Sequence, residues 1–291
     1  MKIICLVTVM LLSPFWIRAQ GVGQIYDGPF VRSLSKILKD RGLTLEQFCS
    51  PSDPVKRRIL FEYGVAYLSV NAKLPKSCLM DEKQVVAFKS SAGIDKHCYK
   101  WGGNDSCFQK TAKNSLNKLF KRVVNTTIVR QCTEGDDCMD SVNTDWAFRS
   151  YSQARKNWEK HKSERRIDAD SSDADVLTRP YSSKEKPYMF SYAIPGASQH
   201  HLGLAIDVRS AANSACKMGS KCAQELADEG WYRTIRYDRY HFTYTGLTLQ
   251  RMKEKGLKEV TCSFGGETFN YWVPDEPKYE DYDNWKCSPV K

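Results

Sequence analysis

The chain has 291 residues, of which 41% are hydrophobic and 12% aromatic, and this composition is sufficient to fill a core. The 44 Lys and Arg residues outnumber the 34 Asp and Glu residues and give a net charge of +10. This balance predicts attraction to polyanions such as anionic cell-wall polymers, while a solvated surface of mixed sign explains it equally well. No basic run is interleaved with aromatic residues, which argues against nucleic-acid readout.

The first residues have the pattern of a secretory signal peptide over residues 1–19. Lys2 precedes an apolar run over residues 3–12, and Ala19 offers a cleavage point. The apolar run is too short to span a bilayer as a helix, and no later segment has the pattern of a transmembrane helix. The mature protein is therefore predicted to be secreted or periplasmic. Removal of Lys2 and Arg18 would leave 42 basic and 34 acidic side chains, a net charge of +8.

Residues 20–130 are predicted to be mainly helical, and they carry no motif of identifiable chemistry. Asp27 and Asp53 each precede a proline and an apolar periodic run, so each is predicted to cap a helix. A third helix is predicted over the run NSLNKLFKRV at residues 114–123. The oligomeric state of the chain is left open.

Ten cysteines follow the signal peptide, and an even number in an exported chain predicts a disulfide framework. Each bridge would contribute about 2–4 kcal/mol of stability. Three pairs close in sequence are predicted to be bridges: Cys98–Cys107, Cys132–Cys138 and Cys216–Cys222. For the remaining four cysteines, proximity in sequence suggests Cys49–Cys78 and Cys262–Cys287. A cysteine zinc site is the alternative, but no pair has the two-residue gap typical of zinc knuckles.

Residues 131–250 mix short strand and helix patterns, and residues 251–291 form an aromatic tail pinned by two cysteines. Within the first of these regions, residues 155–188 are charged and predict the end of a helix followed by a long surface loop. Helices first and mixed elements later predict an α+β fold. The tail aromatics are expected mostly to pack against the core, with a sugar-stacking surface as the less favoured alternative.

The stretch SQHHLGLAID at residues 198–207 carries the first chemically distinctive pattern. Strand alternation places Leu204 and Ile206 on one face and small residues followed by Asp207 on the other. Packing does not require a carboxylate in a strand interior, where its charge is costly unless it is paired or bound to a metal. His200 precedes Asp207 by seven residues, beyond Gly203, so a bend would bring both side chains to one side.

A second pattern, YDRYHFTYTG, supplies another histidine and an acid. Alternation places Tyr240 with Phe242 and Tyr244 on one face and His241 on the other, and Asp238 lies three residues before His241. Two imidazoles and one carboxylate are a donor set of hydrolytic zinc sites, which leave a fourth position open for water. Such a site also needs an acid that accepts the proton of the water, for which Asp238 is the candidate.

The residues alone leave other interpretations open. A histidine before a strand is more often structural than a metal ligand. Asp207 could cap a turn or pair with an arginine such as Arg209, and Asp238 beside Arg236 and Arg239 could form a surface ion pair worth under about 1 kcal/mol.

The two patterns together resemble the signature of the VanY-type D-alanyl-D-alanine carboxypeptidases, which belong to the LAS group of zinc peptidases with lysostaphin-like enzymes and the hedgehog domain. The matching residues are Ser198, His200, Gly203, Ala205 and Asp207, followed by Asp238 and His241. The upstream run FRSYSQ at residues 148–153 is similar to the arginine element of the family, and the resemblance spans roughly residues 146–246.

The resemblance implies specific roles. His200, Asp207 and His241 would bind Zn²⁺, Asp238 would be the general base, and Arg149 would contact the substrate or the oxyanion. It also implies that residues 131–250 are the zinc-peptidase core, a small α+β unit around an antiparallel sheet.

The resemblance assigns support for the ligands or the substrate to Ser198 and contacts with the substrate to Gln153 and Tyr240. His201 becomes a bystander, or the ligand if the register is off by one. The chain departs from the family pattern at three positions. Asp238 replaces a common glutamate, Tyr240 replaces a common tryptophan and would alter the pocket wall, and Gln153 falls one residue closer to the arginine than usual.

The resulting hypothesis is an exported zinc peptidase that hydrolyses a peptide bond next to a D-amino acid in peptidoglycan peptides, as a D-Ala-D-Ala carboxypeptidase or a related endopeptidase. Two alternatives remain. One is a LAS-type zinc protein that binds a partner or wall component without catalysis. The other is a disulfide-rich secreted protein that binds polyanions through its basic surface.

Overall fold

A computed structural model describes residues 26–101, 104–122, 147–164, 167, 171–178, 193–208, 221–264, 266–279 and 287–290. The predicted signal peptide, the Cys132–Cys138 pair, Cys216 and Arg209 lie outside these residues. No helix within the described ranges is both long and apolar enough to cross a membrane.

The described helices are mostly short and concentrate in the first part of the chain. The α-helices are α1 (Pro29–Lys39), α2 (Leu45–Cys49), α3 (Pro54–Arg58), α4 (Glu82–Ala92), α5 (Lys110–Arg122), α6 (Tyr151–Glu164), α7 (Asp173–Thr178), α8 (Lys221–Asp228) and α9 (Leu249–Glu254). Helix α3 continues into a π-helical turn over Ile59–Tyr63 and a 3₁₀ turn over Gly64–Leu68, and further 3₁₀ turns cover Ile94–Lys96 and Gln199–Leu202.

The strands form three small antiparallel sheets. They are β1 (Cys98–Trp101), β2 (Asn104–Cys107), β3 (Ala205–Asp207), β4 (Trp231–Tyr232), β5 (His241–Tyr244), β6 (Leu257–Phe264), β7 (Glu267–Pro274) and β8 (Cys287–Pro289). Strands β1 and β2 form a hairpin, the second sheet has the order β3-β5-β4, and the third has the order β7-β6-β8. The α+β prediction, with N-terminal helices and a small antiparallel sheet, is confirmed.

The helix starts illustrate what local sequence can determine. Asp53 caps α3 as predicted, since its Oδ1 accepts hydrogen bonds from the backbone amides of Val55 and Lys56. The cap predicted at Asp27 is wrong: α1 begins after Gly28 without a side-chain cap. The carboxylate of Asp27 instead pairs with Lys278, and the backbone amide of Gly28 donates to the buried Glu276 carboxylate at 2.7 Å. Contacts with Glu276 and Lys278, near the other end of the chain, thus replace the predicted local cap.

The N-terminal helices and the later elements share one buried core. Phe30, Leu34 and Leu38 are the buried face of α1, as the helical pattern predicts. Phe61 of the π-helical turn packs against Phe30 and also against Tyr279 near the end of the chain. The N-terminal helical region is therefore packed against the C-terminal tail rather than separate from it.

Disulfides join three of the predicted cysteine pairs, Cys49–Cys78, Cys98–Cys107 and Cys262–Cys287. The last one ties β6 to β8 in the tail sheet. Among the tail aromatics, Phe269, Tyr271, Trp272 and Tyr279 are buried, as expected for core packing.

The charged segment at residues 155–188 is more structured than predicted. Helix α6 continues to Glu164, and the short helix α7 follows within the segment predicted to be loop. The indole of Trp158 is buried in α6 and donates a hydrogen bond of 2.7 Å to Asp173 at the start of α7. This contact between side chains fifteen positions apart is invisible to local pattern analysis.

Candidate active site

The sheet β3-β5-β4 brings the two sequence patterns together. Strands β3 and β5 pair antiparallel with Asp207 directly opposite His241. Directly opposite residues in such a pair project their side chains to the same face of the sheet. The alternation predicted for β5 holds, since Thr243 lies on the His241 side, while Phe242 on the other face packs under Arg233.

A tight turn before β3 delivers His200 to the same place. Residues Gln199–Leu202 form a 3₁₀ turn that ends at Gly203 with φ +63°. A Cβ at Gly203 would lie 3.0 Å from the backbone nitrogen of Gln109, so this left-handed position is also sterically restricted to glycine. Gln109 holds the turn further, because its side-chain amide donates to the carbonyl of Leu202 at 2.8 Å.

His200, Asp207 and His241 form a compact cluster in which one donor atom from each lies within 4.8 Å of the others. The Oδ1 atom of Asp207 is 3.2 Å from Nε2 of His200 and 3.1 Å from Nδ1 of His241. Both histidines are buried, and Asp207 is partly buried. The contiguous stretch from the 3₁₀ turn to β3 and the distant strand β5 therefore converge on one small volume.

The electrostatics of the cluster suit a cation. The Nδ1 of His200 faces the carbonyl of Ala147 at 2.8 Å and must carry a proton, because a carbonyl can only accept. Burial lowers the pKa of His200 to about 4, so its Nε2 presents a lone pair at neutral pH. Burial opposes ionisation of Asp207, but the neighbouring imidazoles of His200 and His241 keep its pKa well below the usual value.

A lone pair on His200 and an ionised Asp207 thus face each other across 3.2 Å. A positive charge between them would relieve this repulsion, and two imidazoles with one carboxylate are a donor set that zinc accepts. The residues present therefore fit the metal that the sequence pattern predicts.

Asp238 lies at the edge of the cluster in the turn that precedes β5. The backbone amide of His241 donates to the Asp238 carbonyl at 3.3 Å, and Tyr237 adopts a left-handed backbone with φ 65°. For a bulky residue this conformation is uncommon and is maintained by the surrounding structure. Burial raises the pKa of Asp238 to about 6, with the neighbouring Asp207 carboxylate contributing in the same direction. Such a carboxylate exchanges protons near neutral pH.

Arg149 reaches the cluster from the segment before α6. Its guanidinium donates to Oδ2 of Asp207 at 3.2 Å, so the arginine partner of Asp207 that the structure describes is Arg149. The two consecutive histidines contact the backbone of this segment. Nδ1 of His200 faces the carbonyl of Ala147, and Nδ1 of His201 faces the carbonyl of Arg149 at 2.7 Å. The backbone amide of Gly196 donates to Nε2 of His201 at 3.1 Å.

The side chain of His201 therefore points away from the cluster, and His200 faces Asp207. The other residues named from the sequence lie around the site. Ser198 is buried at the start of the 3₁₀ turn, Gln153 lies in the first turn of α6, and Tyr240 precedes β5 with its hydroxyl accepting a hydrogen bond of 2.7 Å from Arg239. Their contacts with a substrate stay predictions.

Sequence analysis missed one residue at the centre of the site. Gln199 is 1% exposed, and its side-chain oxygen lies 2.8 Å from Nε2 of His241. The sequence shows only a glutamine between Ser198 and the predicted ligand His200. Its burial, which requires hydrogen-bond partners for the amide, becomes visible in the structure. It could not be recognised because the partners lie far away in the sequence.

A comparison with protein-family models agrees with the sequence pattern. Residues 108–245 match the VanY family model, described as D-alanyl-D-alanine carboxypeptidase, and the predicted resemblance is confirmed over this range. A similar solved structure is described as "Structure of the LdcB LD-carboxypeptidase reveals the molecular basis of peptidoglycan recognition". It is 15% identical with a TM-score of 0.31, and the similarity covers 51% of this chain and 64% of that one, so the chain spans less than two thirds of it. No match was found among curated proteins.

Proposed function

We propose, from the match of residues 108–245 to the VanY family, that the chain is an exported zinc-dependent peptidase acting on peptidoglycan peptides. It would hydrolyse a peptide bond next to a D-amino acid, as a D-Ala-D-Ala carboxypeptidase or a related endopeptidase. The observation that carries the proposal is the convergence of His200, Asp207 and His241, with Asp238 three residues before His241.

His200, Asp207 and His241 would hold the metal, with Nε2, a carboxylate oxygen and Nδ1 as the donor atoms. A zinc ion bound there would lower the pKa of a water molecule and polarise the carbonyl under attack. The remaining chemistry falls to residues beside the cluster.

Asp238 would act as the general base and acid. A carboxylate with a pKa of about 6 is mostly ionised at neutral pH, so it can accept the proton of the attacking water. Its conjugate acid is strong enough to return that proton to the leaving amine. Its shorter side chain, compared with glutamate, is compensated if the turn at Tyr237 brings its backbone close to the cluster.

Arg149 would supply positive charge to the substrate. Its guanidinium is partly buried and already directed at Asp207, and a cation at this position is suited to a peptide carboxylate or a developing oxyanion. The hydrogen bond from His201 to the Arg149 carbonyl restricts the backbone of this segment.

The test is mass spectrometry of purified muropeptides after incubation with the oxidised mature protein, with and without a zinc chelator. We expect loss of a terminal D-alanine or cleavage of a cross-linked dimer, abolished by the chelator and by Asp238→Asn. Asp228→Asn is the matched control, because Asp228 is an exposed acid of α8 that contacts Gln224. A chain that binds one zinc ion but cleaves none of these peptides would support the binding-protein alternative.

A further inference from the structure

Gln199 connects the candidate metal site to the N-terminal helical region. Its side-chain nitrogen donates to the carbonyl of Tyr63 at 2.8 Å, and its side-chain oxygen faces His241. Tyr63 is the last residue of the π-helical turn and lies outside the range that matches the VanY family. A residue next to the ligand His200 is thus oriented by a distant part of the chain.

The orientation of the Gln199 amide follows from its partners. A backbone carbonyl can only accept a hydrogen bond, so the atom facing Tyr63 must be the NH₂ group. The oxygen then faces His241, and the hydroxyls of Thr243 and Thr234 also donate to it, the latter at 3.2 Å. If the amide were reversed, its oxygen would face the carbonyl oxygen of Tyr63, and the buried hydrogen bond between Gln199 and that carbonyl would be lost.

The same reasoning determines the proton position on His241. The amide oxygen of Gln199 can only accept, so Nε2 of His241 must carry the proton. Its Nδ1 is then the nitrogen with an available lone pair, and it is the atom that faces Asp207 at 3.1 Å. Such outer partners of metal-binding histidines set the tautomer and the ring orientation.

We infer that Gln199 is a positioning residue that holds His241 in the tautomer able to bind the metal, and that the Tyr63 carbonyl sets the orientation of Gln199. The inference rests on the proposed zinc site. It makes the N-terminal helical region part of the support of that site, although that region carries no recognisable motif. A second contact also joins the N-terminal helical region to the site. Glu62 forms an ion pair of 2.7 Å with Arg236, which lies two positions before Asp238.

The test compares Gln199→Met with Ser115→Ala. Both remove a buried polar side chain that donates to a backbone carbonyl, that of Tyr63 and that of Glu229, but only Gln199 touches a proposed ligand. Zinc affinity is measured by competition with a chromophoric chelator, and the ring nitrogens of His241 are followed by ¹⁵N NMR with and without zinc. Thermal unfolding of the metal-free variants is recorded alongside.

We expect Gln199→Met to weaken zinc binding by about 10–100-fold, the usual effect of losing such a partner. Ser115→Ala is expected to lower thermal stability and to leave zinc affinity within about threefold of the wild type, since it keeps the His241 partner. In the wild type, Nε2 of His241 should carry a proton that exchanges slowly with solvent, and Gln199→Met should remove this protection.

A His241 ring protonated on Nδ1 but not on Nε2 in the metal-free wild type would overturn the inference, and so would unchanged zinc affinity in a folded Gln199→Met variant. A wild-type chain that binds no zinc would contradict the proposed function instead. The proton position on His241 would then still decide the role of Gln199, because it is measured without metal.

Discussion

Replacement of Glu62 by glutamine tests how firmly the N-terminal helical region is attached to the site. Glu62 and Arg236 form an ion pair at 2.7 Å, with side chains only 4% and 3% exposed, and the Tyr279 hydroxyl donates to the same carboxylate at 3.0 Å. Glutamine keeps the shape and an acceptor for Tyr279. It removes the negative charge that faces the buried guanidinium.

The magnitude follows from burial. Removing one partner of a buried ion pair typically costs about 3–5 kcal/mol, because the remaining charge loses its compensation in a medium that solvates it poorly. Since glutamine keeps a hydrogen-bond acceptor, we expect a loss near the lower limit, about 3 kcal/mol of unfolding free energy. The Glu62→Leu, Arg236→Met double variant should be closer to the wild type, because it removes both charges.

Urea denaturation of the oxidised protein followed by circular dichroism measures the difference. The matched control is Glu254→Gln in α9, which breaks the Arg251–Glu254 pair whose side chains are 67% and 44% exposed. Solvent screens that pair, so its loss should cost less than about 1 kcal/mol. If Glu62→Gln cost no more than Glu254→Gln, the buried pair would not hold the two regions together and the reasoning would be refuted.

Four further predictions concern the site and the framework. Activity should rise with pH through about 6 as Asp238 ionises, and Asp238→Asn should lower kcat by about 10²–10⁴-fold; a flat pH profile would exclude it as the base. Burial lowers the pKa of His201 to about 4, so the unfolded chain takes up a proton that the folded chain does not. Unfolding free energy should therefore fall as pH drops from 6.5 towards 4, and His201→Gln should reduce the slope of pH-dependent urea titrations; an unchanged slope would contradict this. Replacing Cys262 and Cys287 by alanine should cost about 3 kcal/mol in the same assay while activity persists. Zinc at a hundredfold excess over its Kd should add about 2.7 kcal/mol of stability, and His200→Ala should make the Tm insensitive to zinc and chelator.

The local features of this chain could be read from the sequence because neighbouring residues determine them. The Asp53 cap, the buried face of α1 and the alternation of β5 each depend on backbone geometry over a few residues. The wrong cap at Asp27 shows the limit of this approach, because the partners of that helix start, Glu276 and Lys278, lie at the other end of the chain.

The sequence by itself determined which residue types carry the chemistry: two histidine motifs, an aspartate in a strand and an acid before the last histidine. It left open which of the adjacent histidines faces Asp207, because that depends on how the 3₁₀ turn docks. Only the tertiary structure brought Gln199 to His241 and Tyr63 to Gln199, across 42 and 136 positions of chain. Hydrogen bonds of this kind depend on packing between segments, which no local spacing records.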